Sequence, residues 1–415
     1  MEPNQKGGTR WLLVLFFTLF MAFMTYNLIL FPAHAVDTMQ TYGVGQAALT
    51  TLTSVASVVG VFTGILFGRI LDTRGSRKTI MIFLAIGIVL FFARAFVVSY
   101  PLVIALTFLA SACVGVCQVA APKVLDTWFP KEKVGSVVSF QIAGAGIGSA
   151  GGFALGAIIS LHTALVSVGV CYLVLLLFWI AVGKEGPYKA AESAVAGVPT
   201  GGTKAVLKSS YMWLITIAYS LGVTATLLIN TYMVNAFIAK GLPVAGAAMM
   251  GSVLNLALLA GGFITSFLVA KTKRFNPLLI VVFVVGAGLE LIAWFTPLGA
   301  STWVFMAAGG LVLGGCLGLC VGRVPLIPMT GQFSSELIGT ATGAVETIKG
   351  VISFVLPIVV ATICGTNFNA IFIVFFIACV IAAITGAILV PELGEKGNVF
   401  KEFQAKMQGK AIVGK

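Results

Sequence analysis

The sequence predicts an all-α membrane protein of twelve transmembrane helices in two pseudo-symmetric six-helix bundles. Three observations carry that expectation. Of 415 residues, 59% are hydrophobic and only 9% are charged, whereas globular domains are about 25% charged, so a soluble fold would lack the polar groups to cover its surface. Twelve apolar stretches, each long enough to cross a bilayer, follow one another along the chain. A short Cys- and Gly-rich pattern also recurs at matching places in the two halves.

The first stretch, 11–33, carries no A-x-A cleavage pattern and is read as a span, not a signal peptide. The next two, 46–70 and 79–99, flank a basic turn, and 101–125, 134–160 and 162–183 complete the first half. A long polar stretch then runs from Lys184 to Ser210, rich in Gly, Pro, Ala and Lys. The second half repeats the count with 211–237, 245–270, 277–296, 301–324, 338–363 and 369–390. The expected organisation is therefore a bundle at 1–183, a cytoplasmic linker at 184–210, a second bundle at 211–390 and a cytoplasmic tail at 391–415.

The net charge of +12 could suggest nucleic acid, but its distribution argues otherwise. Of the 25 Lys and Arg, 20 fall on the side that holds both termini, the linker and the even loops, while the opposite loops have Lys240 alone. By the positive-inside rule the basic side is cytoplasmic, which predicts a multi-pass protein of the cell membrane with attraction to anionic lipid as a secondary effect. The recurring pattern is Cys113-Val-Gly-Val-Cys117-Gln-Val-Ala-Ala-Pro122 in span four and Cys316-Leu-Gly-Leu-Cys320-Val-Gly-Arg-Val-Pro325 in span ten, offset by 203 residues. Matching positions in two six-span halves mark a parallel repeat, an architecture that encloses one central path. The paired cysteines lie in apolar Gly-rich runs with no nearby His, so they read as packing residues. Neither metal nor cofactor is expected.

The loop after span two reads Gly68-Arg-Ile-Leu-Asp72-Thr-Arg74-Gly75-Ser-Arg77-Lys78. It resembles the major facilitator superfamily, whose loop between spans two and three has the pattern G-x-L-a-D-r-x-G-r-r-k, and twelve spans with a linker after the sixth extend the resemblance over essentially the whole chain. The resemblance implies a gating role for this loop, with Asp72 meeting the segment 337–340 and Arg77 pairing with Asp126. Span five, Gly144-Ala-Gly-Ile-Gly148-Ser-Ala-Gly151-Gly152, is similar to the superfamily's antiporter motif, but Ser149 stands where Pro is expected and the closing spacing is one residue short. A small-x-x-x-small helix interface accounts for it without a transport role. Trp128-Phe129-Pro130 looks like the W-F-P of several anion-transporting branches, among them the oxalate/formate, cyanate and nitrate/nitrite carriers.

Charged side chains in a bilayer cost at least ~2.5–3.5 kcal/mol on insertion scales, so each needs a partner or a use. Lys349 is the most central: if span eleven enters near Ile338, eleven residues at about 1.5 Å each put it roughly 16 Å deep. Glu346 shares its helix face. Either the two neutralise each other, or Lys349 holds a substrate anion while Glu346 is a second ligand or a proton carrier. A lysine in span eleven also resembles the substrate-binding lysine of the oxalate/formate branch, but the arginine that branch places in span eight is missing here. A single cation suits a monocarboxylate better than a dianion. Arg323 is a further candidate for binding, entry or gating, and Tyr26, Asn27, Gln118, Gln141, Tyr219 and Asn255 are uncharged candidates on the expected path. Arg94 and Glu290 fall in spans three and nine, which the resemblance places outside the path, and read as structural.

These readings converge on a monomeric secondary carrier of a small organic anion, coupled to protons or to a counter-anion. The alternative is a multidrug or lipophilic-compound exporter of the same superfamily. A receptor would need a cytoplasmic domain that neither linker nor tail is long enough to fold, and no nucleophile, metal or phosphate-binding constellation suggests an enzyme.

Overall fold

In the computed structural model the described residues are 7–55, 70–71, 74–129, 131–183, 202–334 and 337–407. They are almost entirely helical, in keeping with a chain whose backbone polar groups must be satisfied within the bilayer. Among the described residues, ten helices are long and apolar enough to cross a membrane. They correspond to expected spans one, three, four and six to twelve. The fifth, Lys131–Gly156, is a helix of 26 residues. Of span two, 46–55 is helical and 56–69 lies outside the described residues, together with the linker stretch 184–201.

Several spans are broken where their sequence weakens the helix. Span four is two helices, Tyr100–Val114 and Val116–Asp126, meeting at Gly115. Span ten breaks at Gly314 and Gly315 between Ala300–Leu313 and Cys316–Val321, so both halves interrupt this element at glycine beside the repeated Cys pattern. Spans nine and twelve each contain a π-helical turn, Val281–Val285 and Ile384–Ile388. Large apolar side chains such as Val89, Phe267 and Ile363 point outward, as a lipid-facing surface requires.

The chain forms two compact units. The first comprises Met1–Val195, Asn230–Asn255 and Pro357–Thr366. Its tightest element pair is span one, Gly7–Ala33, against span five. Here the Gly-rich run has a direct physical use. A Cβ on Gly144 would collide with the carbonyl oxygen of Thr18, and one on Gly148 with that of Ala22, so only glycine lets these two backbones approach. Thr25 Oγ1 then donates to the Ala145 carbonyl at 2.8 Å across the same seam. Segment 230–255 joins this unit through polar contacts: Asn235 Nδ2 donates to Gln46 Oε1 at 2.6 Å, and Ser252 Oγ to the Ala150 carbonyl at 2.9 Å. Asn235→Ala would strand the buried Gln46 amide, and leaving one such group unsatisfied costs about 1–3 kcal/mol. The expected result is a lower midpoint in thermal unfolding of the purified protein.

The second unit comprises Ala196–Ile229, Leu256–Leu356 and Asn367–Lys415. Spans nine and ten pack closely, with Gly309 leaving room for Glu290, whose Cγ a Cβ there would approach to 2.6 Å. Trp294 stacks on Phe372 at 4.6 Å and donates to Asn369 Oδ1 at 2.7 Å, fixing span nine to span twelve. At the other end of these spans, Glu392 accepts hydrogen bonds from the Phe275, Asn276 and Gly394 amides, each at 2.9 Å. Its charge thereby sits at the N-terminus of span nine, where the helix dipole favours an anion.

Candidate functional site

In the second unit, three sequence candidates meet. Glu346 and Lys349 lie on one face of span eleven, Ile338–Cys364, because residues three apart are neighbours on a helix surface. Lys349 Nζ donates to Glu346 Oε2 at 2.5 Å. From span seven, Ser210–Ala239, the Tyr219 hydroxyl donates to the other carboxylate oxygen at 3.1 Å, and the Lys349 ammonium lies 5.6 Å from the centre of the Tyr219 ring. One helical turn further along span eleven, Thr224 Oγ1 donates to Ser353 Oγ at 3.3 Å. Each part of Glu346 is thus engaged, and the lysine charge is shared between a carboxylate and an aromatic face.

Exposure separates this pair from Arg94, Glu290 and Arg323. The Lys349 and Glu346 side chains are 23% and 44% exposed. Arg94, Glu290 and Arg323 are each at most 1% exposed. A group that must take up and release an ion needs access, and among these charged residues only Lys349 and Glu346 have it.

The buried charges are packed into their bundles. Arg94 donates to Thr107 Oγ1 at 3.4 Å and lies against the Phe31 and Phe91 rings at 5.3 and 4.9 Å. Glu290 is enclosed by spans nine, ten and twelve, its oxygens without hydrogen-bond partners in the described residues. Arg323 spends two donors on the carbonyls of Gly386 and Pro391, the latter at 3.2 Å, and so ties the end of span ten to the end of span twelve. That geometry gives Arg323 a clamping role. Arg323→Gln should lower the unfolding midpoint by the equivalent of about 1–3 kcal/mol while leaving anion binding measurable, which thermal shift with and without ligand would check.

The remaining candidates lie in the first unit or outside the description. The Tyr26 hydroxyl is 2.6 Å from Ser167 Oγ, and Asn27 Nδ2 donates to Ser111 Oγ at 3.4 Å while its Oδ1 stays unpartnered in the described residues. Asn255 Nδ2 donates to Asn230 Oδ1 at 2.8 Å and to the Gly251 carbonyl at 2.9 Å. Gln118 is exposed. Asp72 and the side chains of Gln141 and Asp126 lie outside the described residues, so the expected contacts of the gating loop do too. Arg77 is exposed, and its backbone carbonyl accepts from Trp179 Nε1 at 3.2 Å. Glu392 had no role in the sequence reading. Its one signal was a carboxylate directly after span twelve, facing a loop whose start-of-helix amides need an acceptor. Among the described residues, no group of three His, Cys, Asp or Glu side chains is placed to hold a metal.

Solved structures similar to this chain include transporters. A bacterial homolog of the human lysosomal transporter Spinster, inward-facing and unoccupied, aligns with a TM-score of 0.72 at 12% identity over 100% of both chains. The xylose transporter XylE from E. coli, inward open, gives 0.73 at 14% identity, covering 96% of this chain and 99% of that one. The nucleoside transporter NupG gives 0.71 at 15% identity, covering 91% and 98%. A search of curated protein sequences gave no match. The profile described as Major Facilitator Superfamily matches residues 15–357, most of the length over which the spans and the Glu346–Lys349 pair were found. The chain is a multi-pass membrane protein that belongs to the major facilitator superfamily, a family of transporters.

Proposed function

We propose that this transporter moves a small organic monoanion, a monocarboxylate, across the cytoplasmic membrane by alternating access of its two six-helix halves, 1–183 and 211–390, around a midplane site. The observation that carries the reading is the accessible Lys349 ammonium, held by Glu346 and set against the Tyr219 ring. XylE and NupG are named for a sugar and for nucleosides, which are uncharged. What favours an anion here is a cation kept at a membrane depth where charge is costly. Lys349 binds the substrate carboxylate, Glu346 carries a proton, and Tyr219 holds the carboxyl group of Glu346 in place. Asp72, Arg77 and Asp126 act at the cytoplasmic gate, both termini face the cytoplasm, and the carrier works as a monomer.

The test is a thermal-shift panel of monocarboxylates, dicarboxylates and lipophilic cations on the purified carrier. A ligand at 100 times its Kd stabilises the folded state by about 2.7 kcal/mol. At least one monocarboxylate should raise the midpoint, and Lys349→Gln should abolish that rise. Stabilisation by lipophilic cations, with none by any carboxylate, would point to an exporter instead.

A further inference from the structure

We propose that the first unit holds a resident small inorganic anion, a halide such as chloride, on the free edge of the Arg94 guanidinium. Arg94 sits in the last turn of span three, Ser76–Ala95, and is fully buried. Its Nη1 donates to Thr107 Oγ1 at 3.4 Å, and the Phe31 and Phe91 ring centres lie 5.3 and 4.9 Å from the guanidinium carbon. Nε and Nη2 remain, both buried and both without a hydrogen-bond partner among the described residues. These two nitrogens form one edge of the planar group, and their N–H bonds run parallel. They point at a single position, the geometry in which a guanidinium takes an anion through two hydrogen bonds. The aromatic rings attract the charge but offer no lone pair to this edge.

The sequence supplies no carboxylate for that position. Segments 1–183, 230–255 and 357–366 contain five acids, Glu2, Asp37, Asp72, Asp126 and Glu132. Glu2 precedes span one, and Phe31 is near the other end of that span. Asp72 precedes span three, whereas Arg94 lies about 27 Å along the helix from Ser76. Asp126 ends span four and Glu132 opens span five, both at the end of the bundle away from Thr107. Asp37 is exposed, and the groups close enough to act on the charge of Arg94 are the hydroxyls of Tyr42, Tyr172 and Tyr26. A buried carboxylate can be neutralised by a proton, but a guanidinium keeps its charge, and an uncompensated charge inside a bilayer is costly. Size follows from enclosure. Phe31, Phe91 and Tyr172 are each at most 1% exposed, and Tyr172 stacks on Phe91 at 4.9 Å. Such walls suit one halide-sized ion and exclude a metabolite. They also set this ion apart from any bound at the exposed Lys349. The ion stays with the fold and, through Phe31, Arg94 and Thr107, fastens spans one, three and four to one another.

The experiment uses the full chain, purified in chloride and then desalted into gluconate at equal ionic strength. Denaturation in hot detergent followed by ion chromatography should release about one chloride per chain, since one guanidinium edge takes one anion. Lys349→Gln should release the same amount. Arg94→Met replaces the guanidinium by an apolar chain that needs no counter-ion, a change that buried charges often tolerate, and should release none above background. Two further measurements cover an ion that exchanges during desalting and a variant that does not fold. Chloride returned to the gluconate-exchanged protein should raise the unfolding midpoint of the wild type and not that of Arg94→Met. Crystals of wild-type protein purified in bromide should show an anomalous peak beside Nε and Nη2. Chloride lost in Lys349→Gln but kept in Arg94→Met would overturn the site. Release of a carboxylate in place of a halide would overturn the identity of the ion. No released anion, a midpoint indifferent to chloride and no bromide peak at Arg94 would together overturn the proposal.

Discussion

Gly148→Val is expected to remove the folded transporter from the membrane. A Cβ at this position would occupy the space of the Ala22 carbonyl oxygen, and Thr25 Oγ1, which donates across the same seam, crowds it from the other side. Backbone cannot rotate away as a side chain can, so spans one and five must separate along a contact that runs most of their length. Overpacking a close-packed interior costs about 1–3 kcal/mol and occasionally more, and a clash with backbone belongs at the upper end. Gly151→Ala, three residues on, is the control, since an added Cβ there meets nothing within 4 Å. Size-exclusion profiles of fluorescent fusions should show loss of the monodisperse peak for Gly148→Val and a normal peak for Gly151→Ala. Equal tolerance of both would show that span five does not seal on span one through glycine.

The second large effect is on transport. Lys349→Gln should lower uptake of the carried anion by on the order of 100-fold or more, because truncating one partner of a charge pair that holds a ligand costs about 2–5 kcal/mol. It also leaves Glu346 without its cation, and a carboxylate at that depth then repels the substrate. Lys349→Arg keeps the charge but replaces a compact ammonium by a planar fork, and is expected to retain part of the activity. Initial uptake rates at matched protein levels in the membrane check both.

Much of this was legible in the sequence, for physical reasons that differ from one element to the next. Ten of the twelve expected spans meet apolar helices of spanning length among the described residues, because a bilayer imposes one length and one composition on each. The Glu346–Lys349 pair was legible because residues three apart on a helix must be neighbours, whatever surrounds them. Its third member needed more than spacing. Tyr219 lies 127 residues away from Glu346, and only the packing of span seven on span eleven makes its hydroxyl a partner. The Gly-rich run of span five was ambiguous as a motif, since small residues serve both helix packing and transport signatures. Collision of added Cβ atoms with the carbonyls of span one supplies its packing role directly. Arg323 was a candidate because a cation near a path attracts attention. What its guanidinium does depends on Gly386 and Pro391, which no local pattern links to it. Glu392 was hard to read for the same reason, since two of its three backbone partners, the Phe275 and Asn276 amides, lie more than a hundred residues away.

The central claim is that an anion and Glu346 compete for the ammonium of Lys349. Equilibrium binding of the stabilising monocarboxylate to purified wild-type protein, Lys349→Gln and Glu346→Gln tests it most directly. The account predicts that Glu346→Gln binds at least as tightly as wild type and that Lys349→Gln loses about 100-fold. Unchanged affinity in Lys349→Gln, or markedly weaker binding in Glu346→Gln, would contradict it.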